Sequence, residues 1–133
     1  MKRLYDWQLR LEAFAGERQA MPFQWGRNDC ALFAADAVEA MTGRRLLPNM
    51  RGYSNARDAL RLIDGAGGLR SIACHALGGF ILPAYAKVGD VVLVKVGKRE
   101  ALGICNGGTV LGPGPDGAAA IGMDAAVAAW KVG

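Results

Sequence analysis

Three observations predict an α+β domain in which N-terminal helices, one of them buried and cysteine-bearing, pack on a small curled antiparallel sheet. Helical periodicity fills the first half of the chain, and the pattern changes to short β-prone runs after Gly78-Gly79. The third observation is a helix over 31–41 so apolar that most of its circumference must be covered. At 133 residues and 52% apolar composition there is chain enough for one core and too little for two, so 1–133 is expected to form a single domain.

Leu4, Trp7, Leu11 and Phe14 recur at helical spacing, with Asp6 and Arg10 placed to pair on the other side. This predicts an amphipathic helix over 3–15, ended by Gly16. Residues 16–28 read as loop, because Pro22 blocks helix and Gly26 permits a tight backbone path near Cys30. Asn28 or Asp29 caps the next helix and Gly43 ends it. That helix carries Leu32, Phe33, Ala34, Ala35, Ala37, Val38, Ala40 and Met41 against the charges of Asp36 and Glu39, which makes it central. Ser54 is expected to cap a third helix reaching about residue 64, with Ala56, Ala59, Leu60 and Ile63 as its buried stripe. Gly65-Ala66-Gly67-Gly68 stops it, and 69–77 reads as a short fourth helix. Residues 91–96, 101–105 and 109–111 then form strands of a meander. A rigid turn region is expected over 112–117, a strand over 119–123, a helical turn over 124–126 and a last strand over 129–132.

The net charge of +4 is a mild excess, and no aromatic-basic motif of a known nucleic-acid module accompanies it. Nucleic acid is therefore not the predicted partner, and a basic adaptor for nucleic acid or lipid headgroups is a third reading that the sequence supports little. The excess is local: Arg44, Arg45, Arg51, Arg57 and Arg61 are opposed in their stretch only by Asp58. Such a run is either a solvated face or a docking surface for an acidic partner. Cys30, Cys74 and Cys105 are widely spaced, without a C-x-x-C pair, which predicts reduced thiols made in a cytoplasm and no metal site. No cofactor is predicted, since the glycine clusters lack the Lys and Ser/Thr of a phosphate-binding loop. The start of the chain mixes Asp6, Arg10 and Glu12 among its apolar residues, unlike a signal peptide, and no run approaches membrane-spanning length.

The most informative stretch is Pro22-Phe23-Gln24-Trp25-Gly26-Arg27-Asn28-Asp29-Cys30, directly ahead of the apolar helix. Unpaired N–H groups and the positive end of the macrodipole at a helix start favour a thiolate, which is how a nucleophilic cysteine is mounted. A cysteine in an apolar helix is otherwise an inert, packed thiol, so both readings stand for Cys30. Trp25 reads as a lid over the helix end and Asp29 as a cap, or both as substrate-binding residues. The one histidine, His75, adjoins Cys74 in sequence, and neighbours on a helix point about a hundred degrees apart, so that pair is not a dyad. His75 is either a structural histidine or a distant base for Cys30.

The Pro22 to Gly26 segment leading into Asp29-Cys30, then Val88-Gly89-Asp90-Val91-Val92, then Ala101-Leu102-Gly103-Ile104, resembles the NlpC-type branch of the papain-like cysteine peptidases over about 23–110. The Ala-Leu-Gly-Ile-Cys strand, the Gly-Pro-Asp-Gly turn and the Ala-Trp-Lys-Val end are similar to a group encoded among phage and prophage tail genes that lacks the catalytic histidine. The resemblance implies a papain-like fold, with Cys30 in the nucleophile's place and Asp29 in the acidic position before it. It also implies loss. The histidine that opens the family's His-x-Gly-Ile strand is Ala101 here, the third polar residue falls at Gly112 or Pro113, and Ala31 replaces a customary serine.

A cysteine peptidase needs a base that later returns its proton to the leaving amine, and losing a member of such a constellation costs several powers of ten in rate. The implied protein is thus a pseudoenzyme, a structural or assembly protein of a phage or prophage tail tip or baseplate. It would be made in the bacterial cytoplasm and assembled into the virion tail. Its implied partners are other tail-tip or hub proteins, met through Arg44, Arg45, Arg51, Arg57 and Arg61 and the loop over 112–117. The alternative is a cysteine endopeptidase that hydrolyses peptidoglycan stem peptides, with His75 or a partner's residue completing the site.

Overall fold

In the computed structural model, which describes residues 1–133, helices α1 (Trp7–Arg18), α2 (Cys30–Thr42), α3 (Ala56–Gly65) and α4 (Leu69–Leu77) come first. Strands β1 (Val91–Val96), β2 (Arg99–Cys105), β3 (Thr109–Gly114), β4 (Gly117–Gly122) and β5 (Ala126–Trp130) follow. They form one antiparallel sheet in the order β4-β3-β2-β1-β5, so the architecture is α+β. No helix is long and apolar enough to cross a membrane.

α2 is the central helix. Asp29 caps it by accepting the Leu32 N–H at 3.0 Å, and Gly43 ends it in the left-handed region at φ 80°. Leu32, Phe33, Ala34, Ala35, Ala37, Val38 and Met41 are all buried. Phe33, Val38 and Met41 join Val91, Leu93, Ile104 and Trp130 in the main core. The alternate β1 residues, Val92 and Val94, face the other way and meet Cys105, Val110 and Ala129 in a second cluster, closed by Ile81, Ala86 and Met123. With both faces of β1 covered, the unbroken apolar run Val91-Val92-Leu93-Val94 has its explanation.

Several boundaries differ from the sequence reading. α1 begins at Trp7 because Leu4 is engaged elsewhere, its N–H donating to the Met41 carbonyl at 2.8 Å, and Tyr5 and Asp6 turn the chain into the helix. It runs through Gly16 to Arg18, since the Arg18 guanidinium lies over Phe14 and binds Asn28 and Asp36, contacts that outweigh the roughly 1 kcal/mol helix penalty of one glycine. Asn55, not Ser54, caps α3, accepting the Asp58 N–H at 2.9 Å. Of the expected stripe only Ala59 is fully buried; Leu60 is exposed, and α3 lies at the surface. Residues 112–114 continue β3 and pair with 117–119, so the expected turn shrinks to Pro115-Asp116. β5 likewise starts at Ala126, three residues earlier than expected.

Arg3 ties the start of the chain to its end. Its guanidinium donates to the Val132 carbonyl at 2.6 Å, the Val88 carbonyl at 2.9 Å and the buried Asp90 carboxylate at 3.0 Å, and stacks on Trp7. Asp90 also accepts the backbone N–H groups of Lys87 and Val132. Removing one partner of such a pair strands the other's charge, so Arg3→Ala is expected to lower unfolding stability by about 3 kcal/mol. Urea denaturation monitored by tryptophan fluorescence reads this as a lower midpoint.

Candidate functional site

The site arises where the sheet comes apart. β2 pairs with β3 only through Ile104 with Leu111 and Cys105 with Val110, whereas β3 pairs with β4 along its whole length. Gly103 permits the close approach at the fork: a Cβ there would stand 2.5 Å from the Leu111 carbonyl oxygen. Pro113 lacks an N–H, which is tolerated because β3 has no β2 partner beyond Leu111. Between the parted strands lies a cavity of about 60 Å³ whose walls include Cys30, Ala101, Leu102, Gly112 and Pro113. It adjoins an open groove of about 740 Å³, lined by Phe23, Trp25, Cys30, Ala101, Pro113 and Ile121 and edged by Arg99 and Glu100.

The loop before α2 carries the aromatic wall of this groove, and buried polar residues hold it. Phe23 and Trp25 meet edge to face with centroids 4.6 Å apart, and the Phe23 N–H donates to the Gly114 carbonyl. Asn28 is buried, donating to the Pro22 carbonyl at 3.0 Å and accepting from Arg18 at 2.9 Å. Asp29 is buried as well. Besides capping α2, it accepts the Gly26 N–H at 3.0 Å and a short hydrogen bond from the Tyr53 hydroxyl. Gly26 has φ 76°, and a Cβ there would collide with the Tyr53 carbonyl. The backbone therefore comes as close to Tyr53 as only glycine allows.

Of the two readings of Cys30, the electrostatics favour the packed, protonated thiol. Burial pushes the Cys30 thiol up from 9.0 to about 11, and the Asp29 charge adds to the rise. Hydrogen bonds from the backbone of Leu102, Ala31 and Cys30 pull the other way and lose. The helix terminus thus supplies donors, but a desolvated sulfur next to a carboxylate stays protonated. Burial likewise raises the Tyr53 phenol, followed by its hydrogen bond to Asp29 and the charges of Asp29 and Cys30, with Arg51 opposing.

Of the titratable side chains, only Arg99 and Glu100 line the groove besides Cys30, and none other lines the small cavity. His75 lies elsewhere: it is exposed on α4 and lines a separate cavity with Arg44, Arg45 and Asn49. Residues 2–132 match the family described as Domain of unknown function (DUF6950). The chain belongs to the DUF6950 family. No curated protein matches it.

In this DUF6950 domain the residues singled out from sequence do not converge on one site. Cys30 and Trp25 line the groove; Asp29 lies beneath it with its acceptors engaged by the protein itself. Arg44, Arg57 and Arg61 are exposed without an ion-pair partner, and Arg45 pairs with Glu39 at 3.5 Å. Arg51 departs from that group. It is turned inward, bound to Asp36 at 2.7 Å and to the Leu46 carbonyl at 3.3 Å, because Asp36 on the covered helix requires cations and takes Arg18 and Arg51 together. It is structural and offers a partner little. Tyr53 and Ile121 are site residues that sequence reasoning missed, and Phe23, inside the stretch that carries the resemblance, was given no role of its own. The hydroxyl of Tyr53 reaches Asp29 across 24 positions of chain, and no local pattern marks it.

Proposed function

We propose that this DUF6950 domain is a papain-like, NlpC-type fold that has lost its proton shuttle and serves as a structural or assembly protein of a phage or prophage tail tip. One observation carries this reading. The positions that the resemblance assigns to nucleophile, base and orienting residue, Cys30, Ala101 and Gly112 or Pro113, border one cavity, and the last two carry no group able to accept a proton. A thiol near pKa 11 beside an alanine has neither the charge nor the relay that acyl transfer requires. On this reading the domain is made in the bacterial cytoplasm and built into the virion tail, where Arg44, Arg45, Arg57 and Arg61 offer cations to an acidic surface of a neighbouring tail-tip or hub protein.

The open groove over Cys30 also supports a second reading, a peptidoglycan endopeptidase whose base comes from a partner. Incubating the pure protein with purified peptidoglycan and following release of stem peptides tests both. No release above buffer is expected. Turnover that disappears in Cys30→Ala would overturn the pseudoenzyme reading.

A further inference from the structure

The cavity that His75 lines, which Cys30 does not border, has the construction of a ligand site of its own. It holds about 340 Å³, within the roughly 300–1,000 Å³ usual for small-molecule sites. Its floor is apolar: Leu46 and Ile72 are buried, and Leu46, Leu47, Ile72 and Ala76 continue into a small apolar void beneath it. Its rim is polar, carrying Arg44, Arg45, Asn49 and His75, and no Asp or Glu lines it. Glu39 engages Arg45 from outside, which leaves the exposed Arg44 as the guanidinium without a partner.

The wall that carries these groups is held in advance. Arg51 ties Asp36 of α2 to the Leu46 carbonyl, the Met50 N–H donates to the Leu47 carbonyl at 3.1 Å, and the Thr42 hydroxyl accepts the Arg44 N–H at 3.1 Å. Leu47 sits at φ 53°, the one non-glycine residue of the chain in the left-handed region. A branched side chain is kept there only when its surroundings enforce it, and such enforced strain concentrates at ligand sites.

We propose that this cavity binds a small amphiphilic carboxylate, its head on Arg44 with an N–H from His75 and its aliphatic body on Leu46, Leu47 and Ile72. A single unpaired guanidinium matches a monoanion, and a planar carboxylate matches its fork. The apolar floor explains why a bare anion is not enough. The site is independent of whether Cys30 has any chemistry.

The test is an amide-shift NMR titration of the full chain with sodium octanoate below its micelle concentration, with sodium acetate and octan-1-ol titrated separately. Octanoate is expected to saturate with shifts confined to residues 44–50 and 72–76, at least ten-fold more tightly than acetate or octanol. Arg44→Glu, at an exposed position, is expected to weaken octanoate at least ten-fold at an unchanged melting temperature. The proposal is overturned by an absence of saturation, by acetate or octanol binding as tightly as octanoate, by shifts centred elsewhere, or by unchanged affinity in Arg44→Glu.

Discussion

Ala101→His is expected to make Cys30 react with iodoacetamide roughly 30-fold faster at pH 7. In the natural chain a thiol near pKa 11 is ionised in only about one molecule in ten thousand at that pH. Position 101 borders both spaces that Cys30 lines, and the groove gives an imidazole room to stand beside the sulfur. An imidazolium partner stabilises the thiolate, and a fall to a pKa of about 8 would raise the thiolate fraction about a thousand-fold. Intrinsic nucleophilicity falls with basicity at a slope of about 0.4–0.5, which removes roughly thirty-fold of that gain. Mass spectrometry of the Cys30 peptide separates this reaction from any at Cys74 or the buried Cys105. The natural protein's labelling rate should climb steadily toward pH 11, whereas the variant's should level off near pH 8. Identical profiles would mean that a side chain at 101 does not meet the sulfur, and the reading of Ala101 as the lost base's position would fail with it.

That experiment turns on a feature only partly legible in the sequence. Asp29 and Gly43 bracket α2 by local rules, a side-chain oxygen three residues before a free N–H and a residue able to take positive φ, so both ends of the central helix could be read directly. Proline and glycine misled at 112–114, because they ordinarily punctuate strands. They are tolerated here because β3 has already left β2, a fact of topology that no window of residues contains. Arg51 and Tyr53 were opaque for the same reason. Their partners, Asp36 and Asp29, lie 15 and 24 positions away. The choice between thiolate and packed thiol at Cys30 stayed open for a different reason: the macrodipole is a local quantity, but the desolvation that opposes it depends on what the rest of the chain packs around Cys30.

Asp29→Ala is expected to cost about 3–5 kcal/mol of unfolding stability, a large part of the 5–15 kcal/mol typical of a domain. The carboxylate serves three donors from three segments: the Leu32 N–H of α2, the Gly26 N–H of the groove loop and the Tyr53 hydroxyl. The lost cap accounts for about 1 kcal/mol, and each remaining donor left without an acceptor adds about 1–3 kcal/mol, less where water enters. Asp29→Asn keeps the cap but turns an amide N–H toward a donor, so an intermediate loss is expected. The asparagine variant also separates structure from electrostatics. Because the Asp29 charge raises the Cys30 thiol, removing that charge should bring the labelling profile of Cys30 below its position near pH 11. Stability should shift in the same sense. A thiol raised from 9.0 to about 11 on folding contributes stability that is complete below pH 9 and lost as pH rises through about 11, and the raised Tyr53 phenol adds to this alkaline loss. Urea midpoints measured from pH 7 to 11 should therefore fall less steeply in Asp29→Asn than in the natural protein. Parallel curves, with Cys30 labelling unmoved, would show that Asp29 acts on the site through the loop it holds and not through its charge.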